Sequence, residues 1–214
     1  MKTRDRIIHS ATELFNDQGE RNITTNHIAA HLGISPGNLY YHFRNKEDII
    51  HSIFDQYARH LSESFTPARS DEIKLENLMG YLDAIFYLMW QFRFFYANLP
   101  DILSRDEPLQ QKYLKAQEQL RAAVVALLRS LREGGIINVS DEDLPDLGQT
   151  IKMVVTCWIP FQIAQAPNTR ITKPLLYQGV LRVLFLLRPY VQPQVADQIR
   201  QLEQHYHQLA QPAG

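Results

Sequence analysis

Residues 24–50 constrain this chain more than any other segment, because they predict two short helices joined by a tight turn and followed by the start of a third. Thr24 or Thr25 can cap the first helix. Gly33 supplies the turn, since only glycine enters positive φ without steric cost. Ser35 can cap the second helix, with a proline next, at the position where a missing N–H costs nothing. The segment therefore predicts a helix-turn-helix.

The second helix of this pair has one buried side and one exposed side. Leu39 and Phe43 lie four residues apart, so they share the buried side. The exposed residues are small at the start and aromatic or polar further on: Pro36, Gly37, Asn38, Tyr40, Tyr41 and His42. A helix with a small tip and hydrogen-bonding side chains suits the major groove of DNA. We therefore interpret it as a DNA-reading helix.

The same segment resembles the N-terminal signature of the tetracycline-repressor (TetR) family of bacterial transcriptional regulators. The matching positions follow one another without an internal gap: Thr25, Ile28, Ala29, Gly33, Ile34, Ser35, Gly37, Leu39, Tyr40, Phe43, Lys46 and Ile49. The resemblance covers the N-terminal quarter of the chain. It implies a homodimeric regulator, a repressor, which binds a double-stranded DNA operator and holds a small hydrophobic effector in its C-terminal domain.

Chemistry assigns separate roles within the helix-turn-helix. The Asn38 amide can pair with donors and acceptors on a base edge. The hydroxyls of Tyr40 and Tyr41 would hold phosphates, and so would Lys46 and the Thr25 end of a helix. With the small and polar positions beside them, the predicted DNA-binding residues are Thr25, Ser35, Pro36, Gly37, Asn38, Tyr40, Tyr41, His42 and Lys46.

Bulk charge cannot supply the attraction to phosphate. The chain has a net charge of −1, and residues 1–60 hold seven Lys or Arg against seven Asp or Glu. The attraction must therefore come from where the cations stand. They cluster at the start of the chain and after the second helix of the motif: Lys2, Arg4, Arg6, Arg44 and Lys46. We expect DNA binding to be sensitive to salt.

Composition is that of a globular protein, with 45% hydrophobic and 21% charged residues. The single cysteine, Cys157, excludes an internal disulfide and suits a reducing compartment. The longest mostly apolar stretch, residues 153–164, is far too short to span a bilayer. Because no secretory pattern precedes the first helix, we expect a cytoplasmic protein with no membrane partner.

Helical periodicity runs through the whole sequence, and no convincing strand-period alternation interrupts it. We therefore predict an all-α protein. Its N-terminal three-helix helix-turn-helix DNA-binding domain would cover residues 1–47. A larger helical domain over residues 48–214 would bind the effector and form the dimer. A helix beginning near Lys46 would join the two.

Aromatic residues are denser over residues 81–96 than one face of an amphipathic helix requires. Core packing explains any single ring, but a mostly apolar pocket between helices is also where small molecules bind. The resemblance implies an effector in this domain. The predicted ligand-binding residues are Phe86, Tyr87, Trp90, Phe94, Trp158 and Phe161.

Two further helices, predicted over residues 141–164 and 173–190, carry apolar rows that could either complete the core or face a partner. Helix-turn-helix proteins commonly read two half-sites as symmetric dimers. The resemblance implies that the last two main helices form the dimer surface. The predicted dimerisation residues are Leu147, Ile151, Val155, Val180, Leu184 and Leu187.

No pattern in the sequence indicates catalysis, a cofactor or a metal. His27 and His31 have the i, i+4 spacing of helical metal ligands, but a third ligand is not apparent. Glycine-rich phosphate loops and nucleophile elbows are absent from the sequence. We therefore expect neither a cofactor nor a metal, and we do not expect an enzyme.

One alternative stays open from the sequence: a dimeric DNA-binding regulator with no small-molecule effector, whose body serves dimerisation or protein partners. A tightly packed aromatic core would favour that alternative. A cavity lined by Tyr87, Trp90 and Trp158 would favour an effector-binding regulator.

Overall fold

A computed structural model describes residues 2–66, 75–166 and 169–212, and within these ranges the chain is all-α, as predicted. The helices of these ranges are α1 (Thr3–Gln18), α2 (Thr25–Leu32), α3 (Pro36–His42), α4 (Lys46–Ser64), α5 (Leu75–Gln91), α6 (Arg93–Ser104), α7 (Glu107–Glu133), α8 (Leu144–Gln165), α9 (Lys173–Leu187) and α10 (Ala196–Leu209).

The first three helices pack around a small apolar core. Ile7 of α1, Ile28 of α2 and Leu39 of α3 are each 0% exposed. Phe43, just after α3, is also buried, so the buried side predicted for this helix is confirmed. We refer to α1–α3 as the head and to the helices from α5 onward as the body.

The caps of α2 and α3 follow the chemistry of the sequence. Thr24 Oγ1 accepts the N–H of His27 at 3.3 Å, so the structure selects Thr24 over the neighbouring threonine as the cap of α2. Gly33 ends α2 in the left-handed region, with φ at 66°. Ser35 Oγ accepts the N–H of Asn38 at 3.2 Å, and a proline occupies the first position of α3. These caps fix the angle at which α3 leaves the turn.

α4 joins the head to the body without interruption. The helix begins at Lys46, where the Asn45 side chain caps it by accepting the N–H of Asp48 at 2.8 Å. It contacts α1 in the head and both α5 and α7 in the body. The predicted domain boundary at residue 47 therefore lies inside the first turn of a continuous helix.

The body packs α8 and α9 across α5, α6 and α7. α8 contacts α6, α7 and α9, while α9 contacts α5, α8 and α10. None of the helices in the described ranges is both long enough and apolar enough to cross a bilayer.

The six residues predicted to face a partner instead lie inside one protomer, which corrects that assignment. Five of them are at most 8% exposed, and Val155 is partly buried against the same core; the five are Leu147, Ile151, Val180, Leu184 and Leu187. Because α8 and α9 each have helices of their own chain on the apolar side, these rows complete the core. A partner would have to contact another face of the two helices.

A glycine lets α9 lie directly on a tryptophan of α8. A Cβ added to Gly179 would stand 2.7 Å from Cδ1 of Trp158, closer than real Cβ contacts. The indole N–H of Trp158 donates to the carbonyl of Leu175 at 2.8 Å, which holds the ring in place. The absent side chain at position 179 is therefore part of the packing between α8 and α9.

Gly179→Ala should lower the free energy of unfolding by about 1–3 kcal/mol, the usual cost of forcing an extra carbon into a packed core. Gly80→Ala on α5 is the matched control, because nothing lies within 4 Å of its added Cβ. There, alanine should stabilise the helix by about 0.5–1 kcal/mol. Urea unfolding measures both variants. Equal stability in the two would mean that the Trp158 ring moves aside without cost.

Candidate DNA interface and helical-domain cavity

α3 presents its predicted reading side to solvent. Pro36, Gly37 and Asn38 are exposed, whereas Leu39 between them and the tyrosines is fully buried. The Asn38 side-chain amide makes no hydrogen bond to any described residue. Tyr41 is 85% exposed. The start of α3 is thus free to approach a base edge.

Two hydroxyl groups join α3 to the start of α2. Thr25 Oγ1 and Tyr40 Oη lie 3.0 Å apart, with the Tyr40 ring half exposed. The hydroxyl of Ser35 is engaged differently, since it caps α3. His42 is partly buried, and its ring meets the edge of the Tyr41 ring at a centroid distance of 5.1 Å. The Thr25–Tyr40 pair beside the α2 N-terminus is the arrangement best suited to a phosphate.

Lys46 is not a free cation, which corrects its predicted phosphate contact. Its Nζ lies 2.7 Å from a carboxylate oxygen of Glu20 and also donates to the Glu20 carbonyl at 3.1 Å. Arg105 of the body donates to the other carboxylate oxygen of Glu20 at 2.8 Å. Glu20 is 1% exposed, so these three residues form an ion triad around a buried carboxylate, between the head, α4 and α6. The charge of Lys46 is therefore paired within the protein.

The triad keeps its carboxylate ionised. Burial on its own raises the pKa of Glu20, but the hydrogen bonds and charges of Lys46 and Arg105 outweigh it, and the net pKa lies below the ordinary value. A group whose pKa is lowered by folding stabilises the fold above its unfolded pKa and loses that effect as the pH falls through the folded one. At neutral pH the triad is therefore fully formed.

Two more cations of the predicted cluster are also engaged. The Arg4 guanidinium donates to Ser52 and lies 4.9 Å from the centre of the Phe43 ring. Arg44 donates to both carboxylate oxygens of Asp48, an i, i+4 pair that the spacing alone could have shown. Lys2 and Arg6 are exposed and form no ion pair with a described residue, so they are the free cations of this cluster.

Further contacts fasten α6 to the head. Arg93 of α6 donates to Asp17 at 2.7 Å. Asn16 donates to the carbonyl of Gln91 and accepts the N–H of Phe94, each at 2.9 Å. These bonds make the start of α6 a second connection between head and body, alongside α4.

The six residues predicted to line a ligand pocket lie in five different environments. Phe94 packs on Phe15 of the head, with ring centres 5.3 Å apart. Phe86 stacks on Tyr177 of α9 at 4.0 Å, and so belongs to the contact between α5 and α9. These two rings serve packing, the other role that the sequence allowed for each of them.

The other four predicted ligand residues do not meet in one place either. Tyr87 is 44% exposed beside His60. Trp90 lies under the Arg93 guanidinium at 4.3 Å. Trp158 is buried between α8 and α9, and its ring centre lies 6.2 Å from that of Phe161, which is 52% exposed. Tyr87, Trp90 and Trp158 therefore do not line a single cavity, contrary to the expectation for an effector-binding regulator.

A cavity lies elsewhere, between α4 and α7. Its outer part, the outer cleft, has a volume of about 300 Å³ and is lined by Ala58, Leu61, Ser62, Phe65, Thr66, Ala116, Gln119, Leu120 and Ala123. It shares Leu61, Phe65 and Leu120 with a smaller inner pocket of about 60 Å³. The inner pocket is lined by Tyr57, Leu61, Phe65, Ile85, Leu88, Tyr96, Gln117, Leu120, Val124, Ile151, Lys152, Val155 and Thr156.

Sequence reasoning missed this cavity because it followed the large rings rather than the small residues. Ala116 and Ala123 stand seven residues apart on α7, which places them on one face of that helix. They face Ala58 across the outer cleft. Small side chains on two facing helices leave space between them, and that spacing was the available signal.

An apolar patch covers the outer side of α8 and α9. Its most exposed members are Met153, Phe161 and Phe185, at 56%, 52% and 57%. They surround a shallow depression of about 440 Å³ with Val154, Cys157, Trp158, Arg182 and Leu186. Exposed aromatic and aliphatic side chains gathered on one face are typical of a protein-binding surface. We call this set the α8–α9 patch.

No group of three metal-binding side chains occurs among the residues that the structure describes. The head thus has an exposed surface that suits DNA, and the body has an apolar cavity and an apolar patch.

Comparison with known proteins identifies the family. The family described as "Bacterial regulatory proteins, tetR family" matches residues 7–53, and the one described as "Bacterial transcriptional repressor" matches residues 56–199. The first covers the head and the start of α4, and the second covers almost all of the body. Together they account for most of the chain.

Individual relatives agree with this result. A TetR-family transcriptional regulator from Marinobacter aquaeolei VT8 is 41% identical, with a TM-score of 0.86 over 96% of this chain and 99% of that one. SmeT in complex with triclosan shares the fold, with a TM-score of 0.59 at 18% identity over 90% of this chain and 93% of that one.

Among curated proteins, the HTH-type transcriptional regulator SrpR of Pseudomonas putida is 33% identical over 85 residues, which are 39% of this chain. The match spans 40% of SrpR, less than half of that relative. From its helix-turn-helix and from family matches along most of its length, the chain belongs to the TetR family and is a DNA-binding transcriptional regulator, not an enzyme.

Proposed function

We propose that this regulator is a homodimeric repressor whose affinity for its operator falls when a small hydrophobic molecule enters the cavity between α4 and α7. The observation that carries the proposal is the continuity of α4. Its first residue, Lys46, follows α3, the DNA-reading recognition helix, after one short turn. Ala58 and Leu61 of α4 line the outer cleft. A ligand that displaces α4 from α7 therefore acts on the recognition helix through one rigid element.

α6 supplies a second route between the cavity and the head. Tyr96 lines the inner pocket. Two residues earlier, Phe94 packs on Phe15 of α1, and Arg105 at the end of α6 holds Glu20. A shift of α6 at Tyr96 would disturb these contacts. A coupling of about 1–3 kcal/mol between the two sites changes DNA affinity from several-fold to more than a hundredfold.

The α8–α9 patch is the surface that we assign to the dimer. Met153, Phe161 and Phe185 are exposed in the protomer, and a second copy of the same patch would cover them. Pairing through one self-complementary face would place two heads for two half-sites of an operator. Movement of α4 and α6 in each protomer would then change the spacing of the heads.

The effector-free alternative has one observation in its favour. The rings of α5 and α6 are packed rather than arranged around a cavity, as Phe86 on Tyr177 and Phe92 on Tyr57 show. The space between α4 and α7 favours the effector-binding regulator. SmeT, which has this fold, holds the small aromatic molecule triclosan.

One experiment separates the two functions. The operator is selected from genomic fragments, and the complex is then challenged with hydrophobic and aromatic compounds. An effector should both release the DNA and raise the melting temperature, since a ligand at a hundredfold excess over its Kd stabilises the native state by about 2.7 kcal/mol. If no compound produces either signal, the effector-free regulator is the better account.

Asn38→Ala should weaken binding to the selected operator by about 1–3 kcal/mol and relax the preference at one base pair in each half-site. The reason is that its free amide stands at the exposed tip of α3. Asn138→Ala, the same change at an exposed position of the body, is the control. Fluorescence anisotropy on the operator and on single-base variants measures both. Unchanged affinity in Asn38→Ala would remove this residue from the reading surface.

Ala116→Phe should fill the outer cleft and reduce the effector response by roughly tenfold or more, while operator binding without the effector stays close to that of the original protein. Ala122→Phe adds the same ring at an exposed position of the same helix and should change neither. Operator release is titrated with an effector found in the screen. A full response in Ala116→Phe would place the effector outside this cleft.

Phe185→Glu should raise the dimer dissociation constant by roughly tenfold or more and weaken operator binding, because the interface would have to bury an unpaired charge. Leu114→Glu is the control, since Leu114 is 54% exposed on α7 and outside the α8–α9 patch. Sedimentation velocity reports the mass of each variant. A Phe185→Glu protein that stays dimeric at all concentrations would show that the partner binds another surface.

A further inference from the structure

The inner pocket combines an apolar wall with a few buried polar groups. Tyr57 and Tyr96, which are 4% and 5% exposed, line it together with the partly buried Lys152. Most of the remaining lining is aliphatic or aromatic, from residues such as Leu88 and Val124. A few polar groups in an otherwise apolar pocket are the usual means of orienting a small ligand.

The two tyrosines leave one hydrogen-bond donor unused. Their hydroxyls lie 3.5 Å apart and bond only to each other among the described residues. Each hydroxyl carries one hydrogen, and only one of the two can be donated within the pair. Burial raises the pKa of both, to about 12 for Tyr96, so both stay protonated. The remaining O–H therefore needs an acceptor that the described protein does not provide.

The ammonium group of Lys152 also has hydrogen-bond donors that the described residues do not use. Its Nζ makes one long hydrogen bond, to the carbonyl of Gln117 at 3.3 Å, and forms no ion pair with a described residue. An ammonium has three hydrogens to donate. Burial, and then the nearby charge of Arg121, lower the pKa of Lys152, and the carboxylate of Glu118 offsets them only in part. An anion beside the ammonium would offset both effects.

We propose that the effector is an amphipathic monocarboxylate, whose carboxylate binds Lys152 and the Tyr57–Tyr96 hydroxyl pair while its hydrocarbon chain fills the outer cleft. This inference rests on the proposed effector-binding function and names the chemical class of the ligand. A carboxylate supplies acceptors only, which is what an ammonium and a spare hydroxyl require. The apolar outer cleft, with Leu61, Leu120 and Ala123 in its wall, suits the chain.

The two volumes guide the choice of a probe. The inner pocket of about 60 Å³ is small and suits a carboxylate, whereas the outer cleft of about 300 Å³ is about five times larger and suits a hydrocarbon chain. Decanoate, a saturated ten-carbon monocarboxylate, is the probe that we choose.

The test compares decanoate with 1-decanol, which keeps the chain and loses the charge. Titration calorimetry at pH 7.5 should show decanoate binding about 10- to 100-fold more tightly, the range expected for hydrogen bonds to a charged group. Lys152→Met should abolish this preference by weakening decanoate alone. Lys115→Met, the same change at an exposed position of α7, should leave it intact.

Tyr96→Phe provides a second test that keeps the ring and therefore the packing. It removes one of the two hydroxyls that we place beside the carboxylate, but the hydroxyl of Tyr57 remains and can donate its hydrogen to the ligand. We therefore expect a few-fold loss of affinity for decanoate, smaller than the loss in Lys152→Met. Thermal melts without ligand check that each variant is folded. If the Lys152→Met protein still prefers decanoate to 1-decanol by the same factor as the original protein, the inference is overturned.

The remaining outcomes separate the ligand class from the proposed function. If 1-decanol binds as tightly as decanoate and releases the operator, the cavity is an effector site but the carboxylate assignment is wrong. If neither compound binds, the assignment is also wrong, and the broad compound screen decides the proposed function independently. Operator release by decanoate that is lost in Lys152→Met would support both.

Discussion

The relation of the head to the rest of the protein depends on one buried carboxylate. Glu20 is 1% exposed and is held by Lys46 from the start of α4 and by Arg105 from the end of α6. An ionised carboxylate removed from water is strongly unfavourable unless it is paired and hydrogen-bonded. Both cations therefore stabilise the position of the head. Lys46 begins α4 and Arg105 follows α6, and both helices also contribute residues to the wall of the cavity.

This use of charge explains how a chain of net charge −1 can face DNA. Lys46 and Arg44 neutralise carboxylates of the protein itself, and Arg4 packs on Phe43, so most of the cations near α3 position helices. For the phosphates we propose the Thr25–Tyr40 hydroxyl pair at a helix N-terminus, with the free cations at the start of α1. The DNA surface thus relies on geometry more than on accumulated charge.

Periodicity in the body identified apolar faces correctly but could not show what covers them. Leu184 and Val180 belong to an apolar row, as predicted, and the row is covered by helices of the same chain. The exposed patch on the same two helices contains residues such as Met153 and Phe185, which the sequence reading did not single out. The dense rings of α5 and α6 likewise pack together, whereas the space lies beside alanines of α4 and α7. In each case the missing information was the identity of the neighbouring helix.

The sequence by itself determined the helices, their caps and the DNA-reading motif, because these depend on contacts between residues a few positions apart. The Ser35 cap and the turn at Gly33 needed no knowledge of the rest of the fold, whereas the choice of Thr24 over Thr25 as the cap of α2 came from the structure. Only the tertiary structure decided that Lys46 pairs with Glu20, and that Lys152 lies near Tyr57 and Tyr96 in one pocket. Those contacts join residues from separate helices, and helical periodicity carries no information about which helices meet.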